Sequence, residues 1–599
     1  MKKPGLLVLC LLLLSAVCFS QVVTFNGQTF KIDTLYPLYD IPAHNKGLSF
    51  PWEITYGPDD SLWITEAHGY KIWKIHPGNK GNRVLLDLSG LMNFDYYSPP
   101  NGYPAPQGGL MGLAIHPNLF SGSPYVYVAL VYYVYPTTGT PNNSACAGAG
   151  SITNQPCYYK TKILRYTYDL VNHSLGSPVI VMDGLSGSND HNSGRLKISP
   201  VAESDGNYYL YYSIGDQGAG QFNNGYRTNN AQNTDIYEGK ILRLNTVQDG
   251  DVDDGAYDQW IPNSNPFHNS STGKVNAVWS FGHRNSQGLV WANVNGSWIL
   301  YNSEHGDKSD DEVNIIQAGN NYGWPKVAGM CDNNYNDTDA NPNNDYLANQ
   351  LVHNETSFCT ANNVVEPIFS FFNVSGPAVP SSSVSNYTWP TIAPSSIDYY
   401  DKMGIPGWNN SLLVTSLKLG MYRLQLKAAG DHIDSSSTPQ ITDTIPYLHD
   451  YRIRDIAIAP TGDTIFLAID SSGSTSGPTG GFTGKQVATK TPGHILRMVF
   501  LETLLYQNNY VPEKPVNNVT ATLVYPNPTS QVLHVLCRTG LHKPFQVQMF
   551  DMAGRLVLQQ ASDQDNFIIY VGGLRPGVYA FRLYNGYDTN VTTEKIVIR

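Results

Sequence analysis

The sequence predicts an all-β protein, with a six-bladed β-propeller followed by a small C-terminal β-sandwich domain. The chain has 599 residues, which is too many for one ordinary core, so we expect at least two domains. Its 54 Gly, 38 Pro and 40 Tyr favour short strands joined by turns over helices. A three-strand unit also recurs six times before residue 500, and the composition changes after that point. We therefore predict a propeller at residues 21–502 and a second domain at 521–599.

Each copy of the repeated unit contains a short apolar strand, a turn, an alternating strand and a last strand that is often basic–apolar–apolar–basic. Period-two alternation repeated along a chain is typical of propeller blades, although six weak copies can also arise in any β-rich chain. Radial repetition would protect the exposed edges of so many strands. The predicted strands are 52–56, 62–65 and 71–75; 110–115, 125–131 and 162–166; 195–198, 208–214 and 240–244; 288–291, 298–303 and 312–316; 396–400, 412–416 and 421–426; 456–460, 465–469 and 495–499.

The first twenty residues have the order of a secretory signal peptide. Lys2 and Lys3 precede an apolar stretch from Leu6 to Val17, and small Ser20 follows it. A transmembrane anchor is the alternative, but the apolar run is shorter than the ~20 residues that a span needs. We therefore predict a signal peptide at residues 1–20.

The end of the chain has a different character. Residues 503–520 are polar and contain Pro, as expected of a linker. Short apolar runs and tight turns follow, including Tyr525-Pro526-Asn527-Pro528, the turn Asp551–Arg555 and Leu574-Arg575-Pro576-Gly577. Together these segments resemble the C-terminal sorting domain of the type IX secretion system of Bacteroidetes. An ordinary accessory β-domain is the alternative.

Net charge and cysteine content indicate which partners the protein can bind and in which redox compartment it lies. The formal net charge of −11 argues against nucleic acid as a partner, because phosphates require a basic surface. Local disulfides are expected to join Cys146 to Cys157 and Cys331 to Cys359 in an oxidising compartment, which leaves Cys537 unpaired. Five reduced thiols in the mature chain are the alternative.

Polar clusters beside predicted turns are the candidates for chemistry. In Asp190-His191 a carboxylate beside an imidazole can support a general base, although such pairs are often only structural. Arg452 and Arg454 are two residues apart in a predicted strand, so their guanidinium groups share a face and suit a carboxylate ligand; surface salt bridges are the alternative.

Two further stretches are rich in oxygen ligands. Residues 304–312 contain five carboxylates and a Gly turn, and residues 331–345 are rich in Asn and Asp. Ca²⁺ takes six to eight oxygen ligands, including backbone carbonyls, so both stretches suit this cation. A solvated acidic loop is the alternative.

These motifs, taken in order, resemble the soluble PQQ-dependent glucose dehydrogenases and the wider glucose/sorbosone dehydrogenase family. The resemblance is colinear and covers about residues 35–500, and the family fold is a six-bladed propeller. The segments that carry it are His191–Leu196, Ile214–Gly218, Gly282–Leu289, Ser309–Glu312, Asn321–Pro325, Trp389–Ser396 and Arg452–Asp455.

The resemblance implies a role for each matching residue. His191 would be the general base that takes the proton of the anomeric hydroxyl, with Asp190 beside it, and Arg284 would stabilise charge on the quinone. Residues implied to hold PQQ are Arg284, Asn285, Gln287, Thr391, Lys418, Arg452 and Arg454. Residues implied to contact the sugar are Gln107, Asp190, Gln221 and Trp389.

The resemblance also implies two calcium sites. The backbone carbonyls of Gly306 and Asp307 would hold one Ca²⁺ together with PQQ, and this cation would polarise the quinone. A second, structural Ca²⁺ would be bound by Asp311, Glu312, Tyr322, Ala328, Asp332 and Glu355.

The chain departs from the family pattern at three places. Asp307 stands where the glucose enzymes have Pro, which leaves a backbone ligand but adds a charge. Asn386, followed by Tyr387, stands where an aromatic residue is expected, which puts glucose itself in doubt as the substrate. The loop between Cys146 and Cys157 also differs from the glucose enzymes.

The function that the resemblance implies is a secreted, PQQ- and calcium-dependent aldose dehydrogenase of the glucose/sorbosone type. It would oxidise the anomeric C1 hydroxyl of a sugar to a lactone by hydride transfer to PQQ. Its partners would be a small sugar, an external electron acceptor, and the secretion machinery or outer surface, and homodimerisation stays open. The alternatives are a calcium-dependent propeller lactonase and a non-catalytic carbohydrate-binding propeller at the cell surface.

Overall fold

The computed structural model divides the chain into two compact units, Met1–Thr503 and Leu504–Arg599. It describes residues 21–25, 28–37, 47–98, 105–134, 159–220, 224, 227–251, 257–269, 275–333, 354–373, 390–418, 420–434, 443–444, 448, 450–475, 487–501, 523–525, 529, 532–536, 544–563, 566–584 and 590–598. The predicted signal peptide, the linker 503–520 and the cysteines Cys146, Cys157 and Cys537 lie outside these residues.

The described part of the first unit contains six antiparallel sheets of four or five strands and one small hairpin. The chain begins with β1 (Gln21–Phe25) and β2 (Gln28–Tyr36). The first sheet is β3 (Pro51–Tyr56), β4 (Leu62–Glu66), β5 (Lys71–Ile75) and β6 (Asn82–Asp87). The second is β7 (Leu110–Ile115), β8 (Tyr125–Tyr133), β9 (Tyr159–Asp169) and β10 (Ser174–Gly187). The third is β11 (Leu196–Ile198), β12 (Tyr209–Ile214), β13 (Lys240–Asn245) and β14 (Val278–Phe281).

The next three sheets repeat the same meander. The fourth is β15 (Asn285–Val294), β16 (Ser297–His305), β17 (Asp311–Ile315) and β18 (Phe369–Phe371). The fifth is β19 (Pro394–Tyr400), β20 (Ser411–Ser416), β21 (Met421–Gln425) and β22 (Asp443–Thr444). The sixth contains β23 (Ile453–Ile458), β24 (Thr464–Ile469) and β27 (Ile495–Leu501), while β25 (Ser474–Thr475) and β26 (Val487–Ala488) form the hairpin. The all-β prediction is confirmed.

The first and last parts of this unit meet in the sixth sheet. Its strand order is β1-β2-β27-β24-β23, so the N-terminal strands pair with the last long strand, with Thr29 opposite Leu501. The first strands of consecutive sheets also contact one another in order, and β23 contacts β3. The sheets therefore form a closed series in which strand pairing joins the two ends of the unit.

All eighteen predicted strands of the repeat overlap observed strands, but five sheets have one additional strand and the sixth has two, β1 and β2, that the repeat did not include. These additional strands lie at the outer side of their sheets, and in β6 most side chains are exposed or half-exposed. Because only one face of such a strand contacts the core, its hydrophobic pattern is weak.

Arg195 links five of the six sheets. Its side chain is fully buried and donates from Nε to the backbone oxygen of Gln287 at 2.8 Å and from Nη2 to that of Ser395 at 3.0 Å. Its Nη1 contacts Glu53 and lies 3.0 Å from Asp455. Removing one partner of such a buried network typically costs about 3–5 kcal/mol, so Arg195 is a major determinant of the stability of this unit.

The segment before Arg195 also meets the second sheet closely. The Gly112 amide donates to the backbone oxygen of Gly194 at 3.0 Å. A Cβ at residue 112 would lie 2.4 Å from that same oxygen, so this approach requires glycine.

Among the described residues, α1 (Glu355–Asn362) is the α-helix, and Asn354 caps it by accepting from the amide of Ser357. A disulfide joins Cys331 to Cys359 in this helix, which confirms one of the two predicted pairs. No helix in the described part of the chain is long and apolar enough to cross a membrane.

The second unit contains two antiparallel sheets. One is β28 (Leu523–Tyr525), β29 (Val532–Leu536) and β32 (Asn566–Tyr570), and the other is β30 (Phe545–Phe550), β31 (Leu556–Ser562), β33 (Gly577–Tyr584) and β34 (Asn590–Ile598). Side chains from both sheets form one buried apolar cluster. The predicted turn at 551–555 is present, because Asp551 accepts hydrogen bonds from the amides of Ala553 and Arg555.

Candidate active site

Several predicted site residues, together with Asp216 and Asp470, occupy two equivalent positions in their sheets. Some precede the first strand of a sheet: Gln107, His191, Arg284, Thr391 and Arg452. Others follow the second strand: Asp216, Gly306, Lys418 and Asp470. Since the first two strands of a sheet are antiparallel, these positions lie at the same end of the sheet. The topology thus collects residues that are far apart in sequence at one end of the unit.

The centre of the site is a hydrogen bond between His191 and Asp216. His191 Nδ1 lies 2.7 Å from Asp216 Oδ1, and both side chains are buried. Burial acts to raise the pKa of Asp216, but the neighbouring His191 and Arg284 and a hydrogen bond from Trp324 hold it below its ordinary value. An ionised Asp216 accepts the proton of Nδ1, which leaves Nε2 of the neutral imidazole as a proton acceptor.

Asp216 is held in turn by three further donors. The indole Nε1 of Trp324 donates to Oδ2 at 2.8 Å, the amide of Asn229 donates to Oδ2 at 3.1 Å, and the backbone N–H of Gly218 donates to Oδ1 at 2.9 Å. These bonds fix the carboxylate, and the carboxylate fixes the imidazole ring.

Asp190 and Gln107 lie on the other side of the imidazole. His191 Nε2 is 3.8 Å from Asp190 Oδ1, which is beyond hydrogen-bond distance. Asp190 Oδ1 accepts from the side chain of Gln107 at 3.2 Å and from the backbone N–H of His191 at 3.0 Å. The structure therefore brings Gln107, Asp190 and His191 together and assigns the orienting hydrogen bond to Asp216, a role that the sequence analysis did not predict.

Unusual backbone conformations occur at this point of the chain. His191, Ser193 and Gln217 have φ angles of 50°, 51° and 65°, in the left-handed region that non-glycine residues rarely adopt. Such conformations persist where the surrounding structure imposes them, often at functional sites.

Arg284 links the His191–Asp216 pair to the turn after β16. Its backbone oxygen accepts from the amide of Asp216 at 2.8 Å, and its guanidinium Nη2 lies 3.4 Å from Asp307 Oδ1. Asp307 is one of the positions that depart from the family pattern, and its carboxylate lies beside the Arg284 guanidinium. The backbone N–H of Arg284 also contacts Glu304.

Arg452 and Arg454 point in the same direction and share one carboxylate. Arg452 Nε lies 3.0 Å from Asp470 Oδ1, and Arg454 Nη2 lies 2.6 Å from Asp470 Oδ2. Arg454 also donates to the side-chain oxygen of Gln287 at 2.9 Å. The salt-bridge alternative is thus observed, and because the two guanidinium groups share one carboxylate, these three residues together carry one excess positive charge.

Lys418 and Thr391 lie next to this cluster. Arg452 donates to the backbone oxygen of Leu417 at 2.7 Å, and the amide of Lys418 donates to that of Ile392 at 3.1 Å. Burial lowers the pKa of Lys418 to about 8, against the opposing effect of Asp311. The side chain of Thr391 is buried. Contacts thus link Gln287 to Arg454, and Arg452 to the backbone beside Lys418.

The donor set fits an anionic ligand with several acceptors. Besides the excess positive charge, the site contains the buried Nδ2 of Asn285, a donor without a hydrogen-bond partner among the described residues. The other side-chain atom of this amide, Oδ1, accepts from Ser193 Oγ at 3.1 Å. An unpaired buried donor costs free energy unless a ligand or water binds it, so a polar ligand suits this position.

Two of the residues predicted for the structural calcium, Glu312 and Glu355, lie beside Ala328 and Gly329. Glu355 accepts from the amide of Ala328 at 3.3 Å, and Glu312 accepts from that of Gly329 at 2.9 Å. Asp311 instead points towards β19, where its carboxylate accepts the amides of Ile392 and Ala393 as well as Gly306. Its role as a Ca²⁺ ligand stays a prediction.

Asp310 also lies at the turn of Ala328 and Gly329. A Cβ at Gly329 would lie 2.6 Å from the Asp310 side chain, which packs against this turn. Burial, with the negative charges of Asp332 and Asp311, raises the pKa of Asp310 to about 7, and burial with Glu304 raises that of Glu312. No group of three or more His, Cys, Asp or Glu has metal-binding geometry in the described ranges. The oxygen-only donors nevertheless suit a hard cation.

Tyr322 does not present its hydroxyl to this cluster. Its OH bonds the backbone oxygen of Ile315, and its ring stacks on His283 at 4.6 Å between centroids. Gln221 and Trp389, the remaining predicted sugar contacts, lie outside the described residues, as do Asn386 and Tyr387.

Sequence reasoning missed Asp216, Trp324 and Asp470 as functional partners. The repeat could have indicated Asp216 and Asp470, because each follows the second strand of its sheet, at the position that Lys418 occupies in the fifth sheet. A stack of Phe50, His68 and Tyr96, with centroids 3.9 and 3.6 Å apart, was also missed. Its Tyr96 hydroxyl donates to the backbone oxygen of Gly108, beside Gln107.

The chain is similar to several known proteins. The chain is 32% identical over 484 residues to quinoprotein glucose dehydrogenase B of Acinetobacter calcoaceticus, covering 76% of this chain and 89% of that protein. It is 27% identical over 319 residues to the aldose sugar dehydrogenase YliI of Escherichia coli, covering 52% and 66%. A solved structure, the PQQ-bound aldose sugar dehydrogenase of Streptomyces coelicolor, is 21% identical with a TM-score of 0.45, covering 79% of this chain and 98% of that one.

Family matches cover both units. Residues 523–599 match the Secretion system C-terminal sorting domain, so the predicted sorting domain is confirmed. Residues 48–365 and 375–476, more than half of the chain, match the Glucose / Sorbosone dehydrogenase family. The chain belongs to the Glucose / Sorbosone dehydrogenase family.

Proposed function

We propose that this protein is a sugar dehydrogenase that oxidises the anomeric C1 hydroxyl of an aldose to a lactone, with PQQ and Ca²⁺ as cofactors. The observation that carries the proposal is the His191–Asp216 hydrogen bond beside Arg284. Support comes from the family membership and from a relative that is named a quinoprotein glucose dehydrogenase.

His191 acts as the general base. Its Nε2 accepts the proton of the anomeric hydroxyl, while Asp216 holds Nδ1 and stabilises the positive charge that the ring acquires. Asp190 and Gln107, which are hydrogen-bonded to each other at 3.2 Å, orient the sugar beside that nitrogen. Gln221 and Trp389 remain predicted contacts along the same sugar.

The cationic residues hold the acceptor. PQQ, when bound, supplies the two-electron quinone that takes the anomeric hydride. Arg452, Arg454 and Lys418 bind its carboxylates, because they place an excess of positive charge in a buried position. Asn285, Gln287 and Thr391 supply further polar contacts, and Arg284 stabilises negative charge at the reacting end of the site.

Calcium completes the site in this proposal. One Ca²⁺ is held by the backbone carbonyls of Gly306 and Asp307 and supplies Lewis-acid polarisation. A second is structural and is held near Ala328 by Glu312, Asp332 and Glu355, with Asp310 in place of Asp311 and with Tyr322 only through its backbone.

The architecture that we propose is a six-bladed propeller at residues 21–502, a linker at 503–520 and a β-sandwich at 521–599. Two observations support six blades. The six sheets contact one another in a closed series, and in the sixth sheet the N-terminal strand β2 pairs with the last strand, β27. The shared core of two sheets supports the sandwich. With the sorting domain and a signal peptide at 1–20, the protein is exported by a type IX system and is secreted or attached to the cell surface.

Dye-linked oxidation of a panel of aldoses tests the function. The protein is stripped of quinone and metal, and PQQ and Ca²⁺ are then added separately and together. We expect activity only with both, and the lactone as product. A calcium-dependent lactonase would instead hydrolyse lactones without quinone, and a binding propeller would show neither activity. Full oxidation by protein without quinone would contradict the proposal.

A further inference from the structure

A second cleft lies at the opposite end of the sheets from the active site. It has a volume of about 520 Å³ and is lined by residues after β7, before β12 and after β13. The active-site residue Asp216 follows the other end of β12, which has six residues. At ~3.3 Å per residue the cleft is about 20 Å from that end, so it is separate from the catalytic centre.

The two neighbouring sheets that form this cleft supply a polar but nearly uncharged lining. Its eleven lining residues include no Lys or Arg and a single carboxylate, that of Asp249. A phosphate or nucleic acid would require basic residues, and a divalent cation would require several carboxylates. The lining therefore excludes strongly charged ligands and suits a neutral one.

Side-chain amides are the main hydrogen-bonding groups. Asn118, Asn207 and Gln248 line the cleft, and the side chain of Asn207 also interacts with Asp205 and Tyr209 at its edge. Each amide presents both a donor and an acceptor, which matches the hydroxyl groups of a polyol. Asn207 and Gln248 are exposed, so a ligand entering from solvent can reach them.

Aromatic rings form one wall. The ring centroids of His116 and Tyr208 are 4.9 Å apart, and Tyr208 is half-buried while His116 is buried. Burial lowers the pKa of His116 to about 4, so the wall carries no charge at neutral pH. An aromatic face gives the apolar side of a sugar ring a surface to pack on.

From this combination of volume, amides, an aromatic wall and a lining with a single carboxylate, we propose that the cleft is a second, non-catalytic binding site for a neutral saccharide. A volume of this size is within the range of small-molecule sites and accommodates a few sugar units. The site would hold the exported protein on a neutral polysaccharide while the other end of the unit stays accessible. This inference does not depend on the proposed oxidation.

Affinity electrophoresis of the full chain, prepared without quinone, tests this proposal. Native gels contain laminarin, soluble starch, hydroxyethylcellulose or galactomannan, and retardation gives the dissociation constant. We expect retardation by at least one of these neutral glycans. The double variant Asn207→Ala/Gln248→Ala should weaken that binding at least tenfold. Asn172→Ala, at an exposed residue in the turn between β9 and β10 and outside the cleft lining, is the matched control and should bind as the parent does.

The outcomes separate this proposal from the catalytic one. Both cleft residues are exposed and at the opposite end from His191, so oxidation of a soluble aldose should be unchanged in the double variant. Loss of retardation with unchanged oxidation supports the second site. Absence of retardation by all four glycans, or equal retardation of parent and double variant, would overturn it, whether or not the protein oxidises sugars.

Discussion

The imidazole of His191 is hydrogen-bonded through Nδ1 to Asp216 at 2.7 Å, although 24 other residues separate the two along the chain. His191 precedes the first strand of the third sheet, and Asp216 follows the second strand of the same sheet. Antiparallel pairing therefore brings them together. The consequence is a histidine with a fixed tautomer, whose Nε2 is available as a base.

Asp216→Asn should lower kcat by about 10²-fold or more, because the amide no longer favours the required tautomer or stabilises the protonated ring. Loss of the carboxylate also makes the imidazole less basic, so the acid limb of the kcat profile should move to lower pH. The measurement is kcat and KM across pH. Asp190→Asn is the comparison, since Asp190 makes no hydrogen bond to Nε2, and it should affect KM more. An unchanged pH profile in Asp216→Asn would show that Asp216 does not position His191.

Arg195→Leu should destabilise the first unit by about 3–5 kcal/mol, because it leaves Glu53 and Asp455 buried without their cation. All ten tryptophans lie before residue 503, so urea unfolding followed by tryptophan fluorescence reports on this unit alone. Adding Glu53→Gln and Asp455→Asn should recover part of the loss. A loss below about 1 kcal/mol would show that Arg195 does not stabilise the unit as argued.

The disulfide joins the two segments that supply Asp332 and Glu355. Cys331→Ser/Cys359→Ser should lower stability by about 2–4 kcal/mol, since it releases a loop closed by residues 28 apart. It should also weaken Ca²⁺ binding, measured by titration of the metal-free protein with tryptophan fluorescence. Cys537→Ser, in the second unit, is the control. Equal Ca²⁺ affinity in the double variant would place the cation elsewhere.

The affinity for PQQ should decrease above about pH 8. Burial lowers the pKa of Lys418 to about 8, so its ammonium is charged below this pH and neutral above it, and attraction to a carboxylate is lost as the pH rises. Titrations at pH 7 and pH 9 measure the difference. Lys418→Met should bind more weakly at pH 7 and show a flatter pH dependence. The same slope in parent and variant would exclude Lys418 from the binding site.

The inner strands of the fold were predictable from sequence, and the outer ones were not. Strands such as β8 and β12 are buried along nearly their whole length, so their apolar runs are strong signals. β22 has two residues, and β6 is largely exposed. The pairing of β2 with β27 joins segments more than 450 residues apart, and no local pattern records such a contact.

The site was predictable for residues that lie in recognisable motifs, and not for their partners. His191, Arg284 and Arg454 were found, but the carboxylates that hold His191 and Arg454, Asp216 and Asp470, were not assigned roles. Those pairings depend on the antiparallel return of each sheet. The resemblance assigned Asp311 to calcium, whereas its carboxylate accepts the backbone amides of Gly306, Ile392 and Ala393 in the structure.

Equilibrium titration of stripped protein with PQQ, in the presence of Ca²⁺, tests the central claim most directly. The absorbance of the quinone should show saturable binding of one PQQ per chain, and Arg452→Met/Arg454→Met should weaken it at least a hundredfold. His191→Gln should bind PQQ like the parent yet turn over sugar about 10²-fold or more slowly. Absence of any saturable binding at high quinone and Ca²⁺ concentrations would contradict the account.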